Sequence, residues 1–473
     1  MPLTILSDTD VSKVLHSFTK EDVLELQRSL ADALHWYSTS NDANDYCSDY
    51  QPNSTTLKRK NGTTTVFMPA SGVVGQGIKV VNMTPPDAIG LPSLENLSLD
   101  SEHSTRSSIS SPTTDSPRTS ISTVSTGQTS ASSSSIPVSL PPLGSSTPIS
   151  AEQESDKPAS TIRGSLTLQD EIGRTTGLIN AEEITAFRTA LASTIMLNKR
   201  QSVHDLTVFG AGKQAYWHIR LAMLLRGPEI HHLNIITRNF DSARKCIMRI
   251  YNPQPDDPSY TNPLGAKYNS KTKVNIVTPS HTEYERLLKN HVRDANVIFM
   301  TTPSTKPLFP ASYLNNPEGR KKGRYIVCVG SYKPDMVELH PDVLRYAVAP
   351  HDHGHRHIYK KHQKEGGAIV VDTVTGCLKD AGEVVQAKLL PDQVVELGEL
   401  FMLKREAMRK KEAKGEKVED GCAFQEGSGL MEWLTRGNVI YKSVGLGLMD
   451  IVVGNELINF ARRRGVGTMV EHF

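Results

Sequence analysis

The spacing of apolar residues changes near residue 205 and divides the chain into two kinds of structure. Before that point helical spacing is mixed with short strands; apolar residues between Lys20 and Trp36, for example, recur every three to four positions, as in an amphipathic helix. The pattern predicts a helix over 20–36, strands over 64–68 and 78–81 around a Gly-rich turn at 71–77, a hairpin of strands at 165–169 and 177–180, and a helix from about 181 to 197.

After Asp205, short β-branched runs recur with helical or loop segments between them. The runs are 206–209, 233–237, 274–277, 297–301, 325–329 and 368–372. Buried runs that alternate with helices are typical of a parallel sheet covered by helices on both faces. This region therefore predicts an α/β fold with a doubly wound parallel sheet, and the tail at 444–464 predicts a further helix.

Composition identifies one segment that does not fit either pattern. Residues 101–150 contain 27 serines and threonines, six prolines and no aromatic residue. Such a stretch buries too little apolar surface to offset its ordering entropy, so we predict a disordered insert at about 90–160. Long surface-loop insertions cost little, so the insert is expected to separate two strands of one domain.

Charge and cysteine usage exclude several classes of protein. Lys and Arg total 53 against 51 Asp and Glu, so a net charge of +2 gives no reason to expect nucleic acid or a membrane as partner. The N-terminus lacks the basic start and apolar core of a secretory signal. Five cysteines without CxxC spacing indicate reduced thiols and a cytoplasmic protein, with no zinc site. Five histidines between 351 and 362 lack acidic or cysteine neighbours at fixed spacing, which favours a solvated loop over a metal site.

The first β-branched run leads into a glycine motif of the GxGxxA type. Gly210 allows a tight turn, Gly212 lets the backbone approach a pyrophosphate, and Ala215 permits close packing of helix on strand. The helix that follows would direct its N-terminus at the phosphates. The motif predicts a dinucleotide site; the alternative is a plain tight turn.

The end of the second run distinguishes the two nicotinamide dinucleotides. An NAD site usually places an acid there to bind the ribose 2′-hydroxyl, whereas this chain has Arg238, a cation suited to a 2′-phosphate. NADP(H) is favoured and NAD(H) remains possible, since Arg238 can also be a surface charge. Asp241 is predicted to cap the next helix instead of binding ribose.

Several motifs, taken in order, resemble the ornithine cyclodeaminase/mu-crystallin family. They are Phe67-Met68-Pro69-Ala70, Gly77 to Val81, Ile184 to Ala190, Gly210 to Ala215, Val329 to Asp335, Asp372 with Gly382-Glu383, and Ser443 to Asp450. The resemblance covers nearly the whole chain apart from the insert and a few loops. It implies a Rossmann-type domain at 198–438 inserted into a second, α+β substrate and dimerisation domain built from both chain ends, namely 1–90 with 160–197, and 439–473.

The resemblance also implies an oxidoreductase acting on a small amino or imino acid, in a homodimer. Ornithine-cyclising members carry a catalytic aspartate where this chain has Tyr332, and the mu-crystallin branch, which reduces cyclic ketimines with NADPH, lacks that aspartate as well. The family's arginine before Met-Pro-Ala is also absent, and Arg59 is the nearest arginine. NADPH-dependent reduction of a cyclic ketimine is therefore the leading hypothesis. A cyclodeaminase-type lyase with bound NAD, converting ornithine to proline and ammonia, and a non-catalytic NADPH and small-acid binder are the alternatives.

Two cations in apolar surroundings are the candidate catalytic residues. Arg188 lies in the apolar stripe of the helix from 181, and Lys79 lies within an apolar strand. A buried guanidinium needs an anionic partner, which is either a substrate carboxylate or a core acid; Lys79 either orients and protonates substrate or reaches solvent from an edge strand. The candidate substrate-binding residues are thus Lys79, Arg188 and Arg59.

Ligands of open α/β sheets bind outside the carboxyl ends of the strands, where Thr301 and Asp372 lie. The complete set of candidate cofactor-binding residues is Gly210, Ala211, Gly212, Lys213, Gln214, Arg238, Asn239, Thr301, Thr302, Val329, Gly330 and Asp372. No metal-binding residue is predicted.

Overall fold

The computed structural model describes residues 2–39, 51–52, 54–84, 161–255, 260–264, 272–316, 322–349, 367–401 and 434–473. The predicted insert at 90–160 and the histidines at 351–362 both lie outside these ranges. Residues 1–84 and 161–473 form one compact unit that contains two sheets.

The first sheet has seven strands in the order β15-β1-β6-β5-β4-β3-β2. Their bounds are β1 Leu3–Leu6, β2 Thr55–Lys58, β3 Thr64–Gly72, β4 Gly75–Thr84, β5 Thr161–Gln169, β6 Thr175–Asn180 and β15 Thr468–Val470. All neighbours are antiparallel except β1 and β6. Because β1 pairs with β15, the two chain ends meet in this sheet, as the resemblance implied.

Four helices pack on one another and on this sheet: α1 Asp8–His16, α2 Lys20–Thr39, α3 Ala181–Leu197 and α10 Gly447–Arg464. Ser7 and Asp10 form a capping box at the start of α1, and the Asn180 side chain caps α3 by accepting from the Glu182 N–H. Leu166 and Leu168 on β5 are fully buried, which is the alternate-residue pattern of a strand with one covered face.

The second sheet has eight strands, all parallel, in the order β13-β12-β14-β11-β10-β7-β8-β9. Their bounds are β7 Asp205–Phe209, β8 His232–Ile236, β9 Lys273–Val277, β10 Val297–Met300, β11 Tyr325–Cys328, β12 Gly367–Val371, β13 Val394–Glu396 and β14 Asn438–Lys442. The associated helices are α4 Lys213–Arg226, α5 Phe240–Tyr251, α6 Tyr284–Asp294, α7 Pro341–Val348, α8 Val374–Asp380 and α9 Gly382–Ala387.

The predicted α/β fold class is confirmed, and all six β-branched runs are strands of this parallel sheet. The four residues of β10 and of β11 are all buried, as expected for strands covered on both faces. Within the described ranges, no helix has the length and apolar content needed to cross a bilayer.

Three details of the prediction were wrong. Strand β14 was not recognised, and it lies between β11 and β12, so residues 438–442 belong to the parallel sheet and the chain returns to the first sheet only after Lys442. The C-terminal helix begins at Gly447, not at 444, because 443–446 form a loop. The turn predicted at 71–77 is shorter, because Gly72 pairs with Gly75 and only two residues connect the strands.

Candidate functional site

The turn after β7 has the geometry that a dinucleotide-binding loop requires. Gly210 has φ +103, a conformation that side chains rarely adopt, and a Cβ there would lie 2.8 Å from Thr301 Oγ1. The Gly210 N–H donates to the Ile236 carbonyl at the end of β8, and the Thr301 hydroxyl donates to the Phe209 carbonyl. The glycine motif is therefore anchored to the strands on both sides of β7.

The helix that follows has an open N-terminus. Gly212 is the N-cap of α4 and has no side-chain cap, and no described atom beyond its chain neighbours lies within 4 Å of the position of a Cβ. The first turn contains no acid, and Ala215 is fully buried against the sheet. This open space at the positive end of a 14-residue helix fits a pyrophosphate group.

Gln214 and Lys213, two side chains at the start of α4, differ in whether they already have polar partners. The Gln214 Oε1 atom is buried without a hydrogen-bond partner, so it is available to a ligand. Lys213 Nζ lies 3.4 Å from Glu182 and 3.6 Å from Glu183, while Ala211 lies half-buried beside the core. A nucleotide phosphate would therefore compete with two carboxylates for the lysine.

The end of β8 presents a free cation. Arg238 is exposed and has no ion pair within the described part of the chain. Asn239 caps α5 by accepting from the Asp241 and Ser242 N–H groups, so the predicted cap at Asp241 was wrong. This leaves the Arg238 guanidinium available beside the glycine loop.

The two candidate catalytic cations share one carboxylate. Lys79 Nζ, on β4, lies 2.5 Å from Asp450 Oδ2, and Arg188 Nε, on α3, lies 3.2 Å from Asp450 Oδ1. All three side chains are at most 6% exposed. Arg188 Nη1 contacts the Met449 sulfur at 3.7 Å, and Nη2 has no hydrogen-bond partner among the described residues. One negative and two positive groups leave this cluster with a net charge of +1.

The pKa values of Lys79 and Asp450 are shifted by burial and by the neighbouring charges of the cluster. Burial lowers the pKa of Lys79 below its usual value, Arg188 lowers it further, and Asp450 only partly opposes this. Burial alone would raise the pKa of Asp450, but Arg188 and Lys79 together hold it below its usual value. Asp450 is therefore a stable carboxylate, and Lys79 is the cation that releases its proton most readily.

A short loop connects this cluster to the parallel sheet. Asp372, fully buried after β12, accepts from the Ser443 hydroxyl and the Gly445 N–H through Oδ2, at 2.7 and 2.6 Å. Its Oδ1 accepts from Thr373 and Val444 N–H groups. Gly445 has φ +92 and lies against Arg188, since a Cβ there would be 2.6 Å from Nη2. Asp372 thus holds the loop that contacts the arginine.

Thr301, Thr302, Val329 and Gly330 lie together at the carboxyl ends of β10 and β11, next to Gly210. The Thr302 and Gly330 backbones approach so closely that a Cβ on Gly330 would overlap the Thr302 backbone. The predicted strand-end residues are therefore neighbours in the structure.

Arg59 is not brought to the Lys79 cluster. It is exposed in the turn between β2 and β3, whereas Lys79 pairs with Met68 further along β3. Gln51 is closer to α10: its Nε2 donates to the Ser71 carbonyl, and its Oε1 lies 3.8 Å from the Cβ position of Gly447. Tyr332 is 48% exposed.

Asp450 was not among the site residues predicted from the sequence. The residue stands in an otherwise apolar run of α10, between Met449 and Ile451, and is fully buried. An acid on an apolar helix face needs a cationic partner, and this was the available signal. In the described residues no group of three or more histidine, cysteine or acidic side chains is arranged to hold a metal ion.

The chain is similar to several curated proteins, although no protein-family model matches it. An uncharacterized protein of Saccharomyces cerevisiae is 27% identical over 308 residues, covering 62% of this chain and 72% of the relative. An uncharacterized cyclodeaminase of Dictyostelium discoideum is 23% identical over 65% and 72% of the two chains, respectively. A Delta(1)-pyrroline-2-carboxylate reductase of Bacillus cereus is 24% identical over 66% and 75%.

Solved structures share the fold over almost their entire length. The Delta(1)-pyrroline-2-carboxylate reductase of Thermococcus litoralis, in complex with NADH and L-proline, has a TM-score of 0.56 with 16% identity and covers 98% of this chain and 99% of its own. A lysine cyclodeaminase has a TM-score of 0.58 with 16% identity and covers 100% and 96%. Because a reductase and a cyclodeaminase match equally well, the fold alone does not choose between the two reactions.

Proposed function

We propose that the chain is a member of the ornithine cyclodeaminase/mu-crystallin family, which its motifs resemble. On this premise it is a nicotinamide-dependent oxidoreductase that reduces the C=N bond of a small imino acid, with NADPH as the preferred nucleotide. The observation that carries the proposal is the buried cluster of Lys79, Arg188 and Asp450. Its net charge of +1 is complementary to one carboxylate, and an uncompensated buried cation is costly unless a ligand supplies that anion.

The glycine turn and the open N-terminus of α4 fit a dinucleotide, as described above. A reduced nicotinamide, when bound, supplies the hydride. The backbone N–H groups at Gly212 and the start of α4 would hold the pyrophosphate region, with Gly210 setting the turn. The buried Gln214 Oε1 is an acceptor and would take a hydrogen bond from a donor group of the ligand. The exposed Arg238 would pair with the 2′-phosphate, which supports NADPH over NADH.

The substrate carboxylate would bind Arg188 through Nη2, the atom that has no protein partner in the described structure. Asp450 holds the guanidinium through Nε, so the rest of the fork stays oriented for the ligand. Positioning of the C=N carbon is what a fixed carboxylate contact contributes to hydride transfer.

Lys79 would supply or retain the proton on the substrate nitrogen. An imine accepts hydride more readily when its nitrogen is protonated, and burial lowers the pKa of Lys79, so its proton is easier to donate. Asp450 stays ionised next to it and stabilises the charged lysine before the proton moves.

The names of the relatives agree with this substrate class, since several are Delta(1)-pyrroline-2-carboxylate reductases. A cyclodeaminase-type lyase is the second candidate, supported by the Dictyostelium discoideum relative. Tyr332, exposed at the position of the lyases' aspartate, and Arg238 both favour the reductase. A non-catalytic binder of NADPH and a small acid is the third candidate, because Arg59 does not replace the missing family arginine.

The test is a panel of cyclic and linear imino acids, monitored by NADPH consumption. Arg188→Met is expected to raise KM by roughly 10- to 150-fold, which corresponds to the loss of a charged hydrogen bond of about 1.5–3 kcal/mol. NADPH affinity should persist, because the proposed nucleotide contacts belong to the other sheet. Lys79→Met should lower kcat at saturating imine.

Arg174→Met serves as the matched control, because Arg174 is an exposed arginine in a hairpin turn of the first sheet. The proposal fails if imine reduction survives both substitutions in the cluster. Conversion of ornithine to proline by the wild-type protein with NAD would assign it to the lyases, and nucleotide binding without turnover of any imine would assign it to the binders.

A further inference from the structure

A buried glutamate joins the ends of two neighbouring strands of the parallel sheet. Glu338 Oε1 accepts from the Thr302 N–H at 2.6 Å, and Oε2 accepts from the Gly330 N–H at 2.6 Å. Thr302 follows β10 and Gly330 follows β11, and the Glu338 side chain is 0% exposed. One carboxylate therefore fixes two turns whose backbones are in contact.

A second layer of buried groups holds the glutamate in place. Glu383, on α9, accepts from the Glu338 N–H at 2.8 Å and from the Ser331 hydroxyl at 2.5 Å. Lys442, at the end of β14, lies 3.1 Å from Glu383 and donates to the Ser331 carbonyl. The network thus links the ends of β10, β11 and β14 through side chains that are almost completely buried.

The network contains more acid than base. Glu383 and Lys442 form a pair, and within the described ranges Glu338 is a second carboxylate that forms no ion pair of its own. The titratable groups that face it are Glu383 from α9, Lys442 from β14 and Cys328 from β11. Burial, reinforced by Glu383 and opposed by Lys442, raises the pKa of Glu338 to about 7.

The location connects this network to the nucleotide. Arg238 and the adenosine half of a dinucleotide would lie at β8, on one side of β7, so the nicotinamide half would lie on the other side, at β10 and β11. The turns that Glu338 joins are therefore those that would border the nicotinamide.

We propose that Glu338 is a positioning residue that fixes the Thr302 and Gly330 turns beside the nicotinamide, and that its ionised form is the one competent to bind nucleotide. The proposal rests on the proposed function for its ligand, but not for the geometry of the turns. An ionised carboxylate accepts from both N–H groups, whereas a protonated carboxyl places a hydrogen on one oxygen and weakens one of the two contacts.

Hydrogen exchange of the free, full-length protein tests the positioning role without nucleotide. In Glu338→Gln the amide NH2 replaces one acceptor, so exchange in segments 300–304 and 328–332 should become about tenfold faster. Glu283→Gln is the matched control, since Glu283 is an exposed acid before α6 that pairs with Arg286. If the variant does not fold, hydrogen exchange of the wild type is compared at pH 6 and pH 8, with rates corrected for intrinsic exchange. Faster exchange of the two segments at pH 6 would then show that ionised Glu338 holds the turns.

The pH profile of nucleotide affinity tests the ionisation. We assume that only protein with ionised Glu338 binds nucleotide, and that Glu338 is half ionised near pH 7. The affinity of the wild type for NADPH should then rise by up to about tenfold between pH 6 and pH 8. The 2′-phosphate itself titrates near pH 6 in every variant, so the difference between wild type and Glu338→Gln isolates the glutamate. Glu283→Gln should keep the wild-type profile.

The outcomes separate this inference from the proposed function. Faster exchange in the two segments, with a flattened pH profile in Glu338→Gln, supports it. Suppose that the wild type binds nucleotide and that Glu338→Gln is folded. Unchanged hydrogen exchange or an unchanged pH profile in this variant would then overturn the inference about Glu338 alone. Wild-type exchange that is independent of pH in both segments would do the same. A wild-type protein that binds neither NADPH nor NADH overturns the proposed function and this inference together.

Discussion

The role of a buried charged side chain depends on the groups that neutralise it, and this holds for the cluster of Arg188, Lys79 and Asp450. Each cation was conspicuous in the sequence because it interrupts an apolar stripe, and either a ligand or a core acid could have neutralised it. In the structure both cations share one acid, which leaves one unit of positive charge without a partner among the described residues. The structure therefore contains the core acid that one interpretation required, and the binding of a ligand carboxylate stays a prediction.

At the residue scale, Arg238 is predicted to set the nucleotide preference. It is exposed at the end of β8 with no described ion pair, so Arg238→Ala should leave stability unchanged. Loss of a charged contact to the 2′-phosphate should weaken NADPH binding by about 1.5–3 kcal/mol, roughly 10- to 150-fold, with NADH binding unchanged. Fluorescence titration of both nucleotides provides the measurement. Tighter binding of NADH by the wild type would contradict the preference.

At the element scale, the loop between β14 and α10 connects the parallel sheet to the buried cluster of Lys79, Arg188 and Asp450. Asp372 at the end of β12 holds Ser443 and Gly445, and Gly445 lies on the Arg188 guanidinium. Both Asp372 oxygens are occupied by these and neighbouring protein donors. We therefore interpret Asp372 as the anchor of this loop in addition to its predicted place beside the nucleotide.

Gly445→Ala is predicted to disturb substrate binding through this loop. The added Cβ would lie 2.6 Å from Arg188 Nη2, so the guanidinium must move. We expect KM for the imino acid to rise about tenfold or more, with NADPH affinity nearly unchanged. Steady-state kinetics and nucleotide titration provide the readouts.

Gly465→Ala separates the clash from backbone strain. Gly465 also has positive φ, +64, but in the part of the chain that the structure describes no atom beyond its neighbours in sequence lies within 4 Å of its Cβ position. Both variants should lose about 1–2 kcal/mol of stability from the left-handed backbone. Only Gly445→Ala should change KM, and an equal change in both variants would show that the contact with Arg188 is not responsible.

At the scale of the whole molecule, the insert between β4 and β5 is predicted to be dispensable. Thr84 and Thr161, the described residues on either side of it, are direct cross-strand partners, so a short connection is able to join the two strands. Replacing residues 100–155 by a short Gly/Ser linker should leave the melting temperature and dinucleotide affinity nearly unchanged. A loss of several degrees in Tm would show that the segment packs on the fold.

The protein is also predicted to be a homodimer. Lys79 points to α10, so its neighbours Ile78 and Val80 point to the opposite face of the first sheet, where Leu178 is 39% exposed. This apolar sheet face suits a second copy, and symmetric dimers are the commonest assemblies. Sedimentation at micromolar concentration should give a dimer, and Val80→Lys should weaken it. Leu390→Lys, at an exposed site in the connection before β13, should not. A wild-type monomer would refute the prediction.

The sequence by itself determined the fold class and the position of the glycine turn, because both depend on local patterns. Short apolar runs predict buried parallel strands, and Gly210, Gly212 and Ala215 fit the backbone and packing requirements of one strand-to-helix turn. It also identified Lys79 and Arg188, because a charge in an apolar stripe is visible without any partner.

Only the tertiary structure decided which residues meet. Asp450 is 371 positions from Lys79 and 262 from Arg188, so no local pattern relates them. The network of Glu338, Glu383 and Lys442 is likewise assembled from separate elements. The place of strand β14 between β11 and β12 is set by pairing with strands that are distant from it in the sequence. Burial and pairing depend on contacts between distant segments, and these contacts turned separate charges into a candidate site.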